Sequence, residues 1–286
     1  MQYRQAILDC IACPACTACA CCTYWPYIQF RGGFVTTLAF CNQKGGSTKT
    51  ATTVGLTSAL SEAGKRVLVV DLDPQANSTT GMGLDPDAVE YGANDVLAET
   101  VPLDAAVTPA SADWPGVSLL AGHRLLANRE SDAAMDIHYR LRNALAESRG
   151  EWDHILVDTS PFVGRLMANG LAAAQRVVIP TDATADGARG VESIIESVSM
   201  ARRSFNEGLE IAAIVIGRRE RAGEQDFREN ELRGRYEALV AKTVIPKRAA
   251  VADAHGLAVP IHQLKGKGSL AISSAYRDLA LELELL

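Results

Sequence analysis

The ten residues Cys41-Asn42-Gln43-Lys44-Gly45-Gly46-Ser47-Thr48-Lys49-Thr50 constrain this chain more than any other segment. An apolar run at residues 35–41 leads into them. A helical pattern follows, with Val54, Leu56, Ala59, Leu60 and Ala63 on one side and Gly64 as a natural stop. A strand that turns through small residues into a helix aims backbone N–H groups at one point, with the positive end of the helix dipole behind them. Such a turn suits an anionic phosphate. Lys49 is placed to reach β- and γ-phosphates, and the Thr50 hydroxyl to coordinate Mg²⁺. A Gly-rich turn without a ligand is the plainer reading, and Lys-Thr at the helix start argues against it.

Two further strand ends carry acids. Val69-Val70-Asp71-Leu72-Asp73-Pro74-Gln75-Ala76-Asn77 closes the second apolar run. Carboxylates at the carboxyl ends of parallel strands point into the ligand crevice of such folds. Asp73 is placed to orient or activate an attacking water, with Asp71 supporting the metal shell. Ile155-Leu156-Val157-Asp158-Thr159-Ser160-Pro161 has the shape of a Walker B element, in which Asp158 holds Mg²⁺ directly or through water. A lone acid at a strand end is more often a helix N-cap. Three strand ends carrying complementary parts of one phosphoryl-transfer site outweigh that reading.

The surrounding pattern predicts the fold. Short apolar runs lie near residues 35–41, 66–70, 116–120, 154–157, 176–180, 211–216 and 242–245, and two have no polar residue for four or more positions. Strands buried on both faces of a parallel sheet look like this. Helical spacing occupies residues 134–148, 164–174, 187–205, 226–241 and 269–285. The alternation predicts a doubly wound α/β fold: a single, mostly parallel sheet with helices on both faces. No linker divides residues 35–286, so they read as one domain. No apolar run approaches the roughly 18–20 residues that span a bilayer, and the N-terminus lacks the layout of a secretion signal. The cytoplasm is the expected location.

Six of the seven cysteines, Cys10, Cys13, Cys16, Cys19, Cys21 and Cys22, fall within the first 22 residues. Thiolates at that spacing can wrap an iron–sulfur cluster or zinc, but an Ala/Cys-rich stretch without a fold gives the same spacing. We favour the second reading. Residues 1–34 are then a disordered extension or an over-extended start, with the folded chain beginning at Val35. The five histidines form no spaced cluster.

Taken together, these motifs resemble the ParA family of partition ATPases, within the wider ParA/MinD group of deviant Walker A proteins, across essentially all of residues 35–286. The resemblance continues through Asn169-Gly170-Leu171-Ala172-Ala173-Ala174, Val177-Val178-Ile179-Pro180-Thr181, Val244-Ile245-Pro246-Lys247, His255-Gly256-Leu257-Ala258-Val259-Pro260 and Ala275-Tyr276-Arg277-Asp278-Leu279-Ala280. It implies an ATPase using ATP and Mg²⁺. It implies a nucleotide site of Lys44, Gly45, Gly46, Ser47, Thr48, Lys49, Thr50 and Pro246, with Thr50 and Asp158 on the metal. Two catalytic residues follow from it: Lys44, the signature lysine that crosses an ATP-sandwiched homodimer to the partner's phosphates, and Asp73, needed for hydrolysis. The family usually reads Lys-Gly-Gly-Val-Gly-Lys-Thr, whereas Ser47-Thr48 replace Val-Gly here. Thr48 brings a Cβ where glycine normally permits close approach to phosphate and an unusual φ. Ser160 replaces the first of two family prolines.

Partition ATPases of this family bind double-stranded DNA without sequence preference and work with a centromere-binding, ParB-like protein, which places them on the nucleoid. From residue 218 to 248, nine cations face six acids in a chain whose net charge is −6. That local excess predicts a phosphate-binding face. The resemblance puts DNA contacts at Arg221, with Lys247 and Arg248 beside Ala250, where a family cation is missing. A solvated helix with ion pairs Glu224–Arg228 and Glu229–Arg233 is the competing reading. A MinD-like membrane ATPase would need a basic amphipathic C-terminal helix, and the tail here is acidic, with leucines expected to pack on the domain. A metabolic enzyme on the same scaffold and a cargo-positioning ATPase are the other rivals.

Overall fold

The computed structural model describes residues 29–30, 33–43, 48–134, 136–220 and 223–286. The N-terminal cysteines, the loop residues Lys44, Gly45, Gly46 and Ser47, and Arg221 lie outside the described residues. Seven strands form one sheet: β1 (Thr36–Phe40), β2 (Val67–Leu72), β3 (Val107–Pro109), β4 (Val117–Leu120), β5 (His154–Thr159), β6 (Arg176–Asp182) and β7 (Glu210–Gly217). Their order is β3-β4-β2-β5-β1-β6-β7. Every pairing is parallel except β3 with β4 at one edge.

Alternating side chains feed two cores, one on each face. From β2, Leu68, Val70 and Leu72 join one core, and Val67 and Val69 the other. All six residues of β2 and of β5 are buried, and each fully buried Val, Leu or Ile contributes about 1.5–3 kcal/mol of apolar transfer. The helices are α1 (Lys49–Glu62), α2 (Asn77–Gly81), α3 (Ala93–Leu97), α4 (Leu103–Ala106), α5 (Arg140–Glu147), α6 (Arg165–Ala173), α7 (Ala185–Ser204), α8 (Gly223–Tyr236), α9 (Ala249–Leu257) and α10 (Lys267–Glu282). Leu166, Val191, Ile194 and Val198 from α6 and α7 cover the first face. Leu56 and Leu60 of α1, with Tyr276 and Leu279 of α10, cover the second. The helix α1 stops where expected, with Gly64 at φ 74.

Expectation and structure part at residues 242–245, which form no strand. Instead isolated bridges flank it, Ile214 of β7 with Val240 and, just past β7, Arg219 with Pro246. The amides here pair irregularly, Ala241 N to Ile214 O and Ile245 N to Ile216 O, each at 2.9 Å. The strand order reverses around β1, so the crevice at its carboxyl end is where a ligand fits. In the acidic tail, Leu279, Leu283 and Leu285 are buried as the packing reading required, whereas Leu281 and Leu286 are exposed.

Candidate nucleotide site

Strand register brings the three acids together. Asp158 pairs in register with Phe40 on one side and with Asp71 on the other. Its side chain is fully buried. Oδ2 accepts hydrogen bonds from Thr50 Oγ1 at 2.8 Å and Ser78 Oγ at 2.7 Å. Oδ1 is buried with no hydrogen-bond partner among the described residues. Burial pushes the Asp158 carboxyl above the usual carboxylate range, while the two hydroxyls and Lys49 pull it back. Lys49 is itself 4% exposed and donates from Nζ to the Asn42 carbonyl at 3.0 Å. Burial lowers its pKa, opposed by Asp158 and Asp73. A buried carboxylate with an unused oxygen is costly unless a cation completes it. A hydroxyl and a carboxylate are the hard oxygen donors that Mg²⁺ prefers. The residues fit that ion.

Asp71 is fully buried and tied to its neighbours. Oδ1 accepts from Asp73 N at 3.1 Å, and Oδ2 accepts from Thr79 N at 2.9 Å and Thr79 Oγ1 at 2.8 Å. Gly122 closes the other side, where a Cβ would sit 2.7 Å from the Asp71 carboxyl carbon. Asp71 therefore fastens the Asp73 loop to α2. Asp73 is 8% exposed, and its Oδ1 accepts from Gln75 N at 2.9 Å.

Lys49, Thr50 and Asp73 open on a cavity of about 830 Å³. One wall is Thr48, Lys49, Thr50, Asp73, Gln75 and Asn77; the other is Arg218 and the stretch Ile245, Pro246, Lys247 and Arg248. Pro246 thus reaches the cavity although 196 positions separate it from Thr50. Thr48 does not adopt the unusual φ that glycine would favour: it lies at φ −68 and ψ 20. The sequence reading missed Ser78, Gln75 and Asn77. Gln75 and Asn77 follow Asp73 in its own turn, which was a usable signal. Ser78 sits in a run of hydroxyl residues, and nothing local marks it as the one that meets Asp158.

The basic window is largely ion-paired. Arg219 pairs with Asp226 and with Glu229, Arg233 with Glu229, Arg228 with Glu231, Arg235 with Glu192 and Lys247 with Glu220. Of the two pairs expected, Glu229–Arg233 forms at 2.9 Å, and Arg228 chooses Glu231 over Glu224. Arg248 lines the cavity and donates to the Lys247 carbonyl at 2.8 Å.

A family model described as an AAA domain matches residues 35–211. The sporulation initiation inhibitor protein Soj of Bacillus subtilis is 32% identical over 254 residues, covering 86% of this chain and 96% of Soj. The chromosome partitioning protein ParA of Caulobacter vibrioides is 34% identical over 259 residues, covering 85% and 92%. The chain belongs to the ParA family of P-loop ATPases. Among solved structures, cobyrinic acid a,c-diamide synthase of Mycobacterium smegmatis with bound ADP and magnesium superposes at a TM-score of 0.73. It is 30% identical and covers 86% of this chain and 95% of that one. The ATP complex of Cyanothece McdA superposes at 0.80 with 18% identity, covering 88% and 97%, a likeness of fold alone. In this ParA-family chain, no helix among the described residues is long and apolar enough to cross a membrane.

Proposed function

We propose that this ParA-family protein is a DNA-partition ATPase that binds Mg²⁺ and ATP in the cavity between Lys49 and Pro246. The observation that carries the reading is Asp158, whose Oδ2 holds Thr50 and Ser78 while its buried Oδ1 has no partner among the described residues. Lys49 neutralises the β- and γ-phosphates, and Pro246 with its neighbours flanks the nucleotide. Thr50 and Asp158 would hold Mg²⁺, which when bound draws charge from the phosphate oxygens. Asp73, with Oδ1 committed to Gln75 N, offers Oδ2 to the attacking water. Gly45, Gly46 and Ser47 supply backbone amides to the phosphates. Lys44 acts across an ATP-sandwiched homodimer, as an arginine finger does in trans.

On this reading the ATP dimer binds double-stranded DNA nonspecifically through Arg221, Lys247 and Arg248, and a ParB-like centromere-binding protein stimulates hydrolysis on the nucleoid. Arg228, Arg233 and Arg235 of α8 pair with acids, and Lys247 pairs with Glu220, so on this reading duplex phosphates compete with Glu220 for Lys247 beside Arg248 at the cavity. The test is size-exclusion chromatography and DNA binding with ATP. Asp73→Ala should accumulate a dimer that hydrolyses ATP at least about tenfold more slowly. Lys44→Ala should stay monomeric while retaining nucleotide. DNA affinity that is the same with and without ATP would remove the partition reading and favour a cargo-positioning ATPase built on the same switch.

A further inference from the structure

Thr48 immediately precedes Lys49 at the start of α1, and the structure shows what receives its side chain. A Cβ built on Gly217 would lie 2.7 Å from Thr48 Cγ2, 2.7 Å from Thr48 Oγ1 and 2.9 Å from Thr48 Cβ. The Thr48 side chain therefore rests directly on the backbone at the carboxyl end of β7. It is 4% exposed, and its Oγ1 is buried with no hydrogen-bond partner among the described residues. Among the described residues, packing sets its place. A β-branched side chain is stiff at χ1 and cannot swing aside to admit a second Cβ.

Gly217 leads into the opposite wall of the cavity. Arg218, the next residue, lines that cavity at φ 52. Arg219 N then donates to Ile245 O at 3.1 Å, and Lys247 N donates back to Arg219 O at 3.0 Å, locking Pro246 between them. The first turn of α1, which carries Lys49 and Thr50, is thus joined through Thr48 and Gly217 to the segment carrying Arg218 and Pro246.

We propose that Thr48 and Gly217 form a matched pair that fixes the spacing between the two walls of the nucleotide cavity, making both positioning residues for the nucleotide. This rests on the nucleotide reading above. In this chain residue 217 must be glycine because residue 48 is not.

The test is a double-mutant cycle on ATP affinity, measured by titration calorimetry, with melting temperature recorded for each variant. Gly217→Ala should weaken ATP binding by about fiftyfold, since its Cβ drives Thr48 and Lys49 out of place. Thr48→Gly should weaken it by about fivefold, because the first turn of α1 loses its seat, and the double variant should fall within about twofold of Thr48→Gly. Should Gly217→Ala fail to fold, Thr48→Gly still decides the matter by hydrogen exchange. Loss of the seat should speed exchange at the Arg219 and Lys247 amides and leave the β2 amides protected. Wild-type affinity in Gly217→Ala, no rescue by Thr48→Gly, or unchanged exchange at Arg219 and Lys247 would overturn the pairing. Lys49→Ala serves as the separate control: if it binds ATP as wild type does, the nucleotide reading itself fails.

Discussion

Asp158 and Ala76 show at the level of single residues how the site is held at the expense of stability. Asp158 is fully buried with one oxygen unpartnered among the described residues, and burial raises its pKa. Asp158→Asn keeps the shape and an acceptor for Thr50 and Ser78 while removing the buried charge. We expect the ligand-free variant to gain about 1–2 kcal/mol in chemical unfolding. The same variant should lose the gain in ATP affinity that Mg²⁺ confers; a loss of stability would contradict the electrostatic account. Ala76 lies at φ 52 and is 3% exposed, in the turn between Asp73 and α2. An L-residue there costs roughly 1–2 kcal/mol, partly offset in the unfolded chain by the freedom that glycine adds. Ala76→Gly should therefore stabilise the protein by about 0.5 kcal/mol in urea melts, the reverse of the usual Ala→Gly result. Lys49, Thr50, Asp73 and Asp158 were legible because each occupies a strand end or a helix start that the sequence displays. Ser78 and Gly217 were not, since their partners Asp158 and Thr48 are 80 and 169 positions away.

Among the elements, the docking of α10 on α1 sets the back of the site. Tyr276 is 2% exposed, donates from Oη to the Ala51 carbonyl at 2.9 Å, and lays its ring on Gly55. A Cβ on Gly55 would fall 2.2 Å from that ring. The added methyl would have to displace a packed ring and its hydrogen bond to Ala51, so Gly55→Ala should cost about 2–3 kcal/mol. A shift in urea midpoint at constant slope would register it; a loss under about 0.5 kcal/mol would show that α10 slides freely on α1. Parallel strands with unbroken apolar runs were readable from sequence, since burial on both faces leaves no polar position. The helix α9, Ala-Ala-Val-Ala-Asp-Ala-His-Gly-Leu, escaped because alanines on a partly exposed helix leave no apolar stripe. The segment at 242–245 has strand-like composition, but it meets β7 through the single amide of Ile245 on Ile216 O, with isolated bridges flanking it at Val240 and Pro246. Composition does not distinguish a ladder from a strap.

At the scale of the whole molecule, family membership and fold follow from the spacing of the motifs. The DNA face does not, because ion pairing depends on where α8 sits. Five cations of the basic window, Lys247 among them, sit against acids, a pairing that their positions in the sequence do not display. If Lys247 and Arg248 carry DNA binding, their joint replacement by alanine should weaken the ATP-bound protein on DNA by at least about tenfold at low salt and flatten the salt dependence. Equal affinity would place the DNA face elsewhere. All of this presupposes a Mg²⁺–ATP site between Lys49 and Pro246. Titration calorimetry of a non-hydrolysable ATP analogue, with and without Mg²⁺, into wild type and Lys49→Ala tests it most directly. The account predicts Mg²⁺-dependent binding to wild type and none to Lys49→Ala, with the two proteins melting within a few degrees of each other. Equal binding by Lys49→Ala, or binding to wild type indifferent to Mg²⁺, would contradict it.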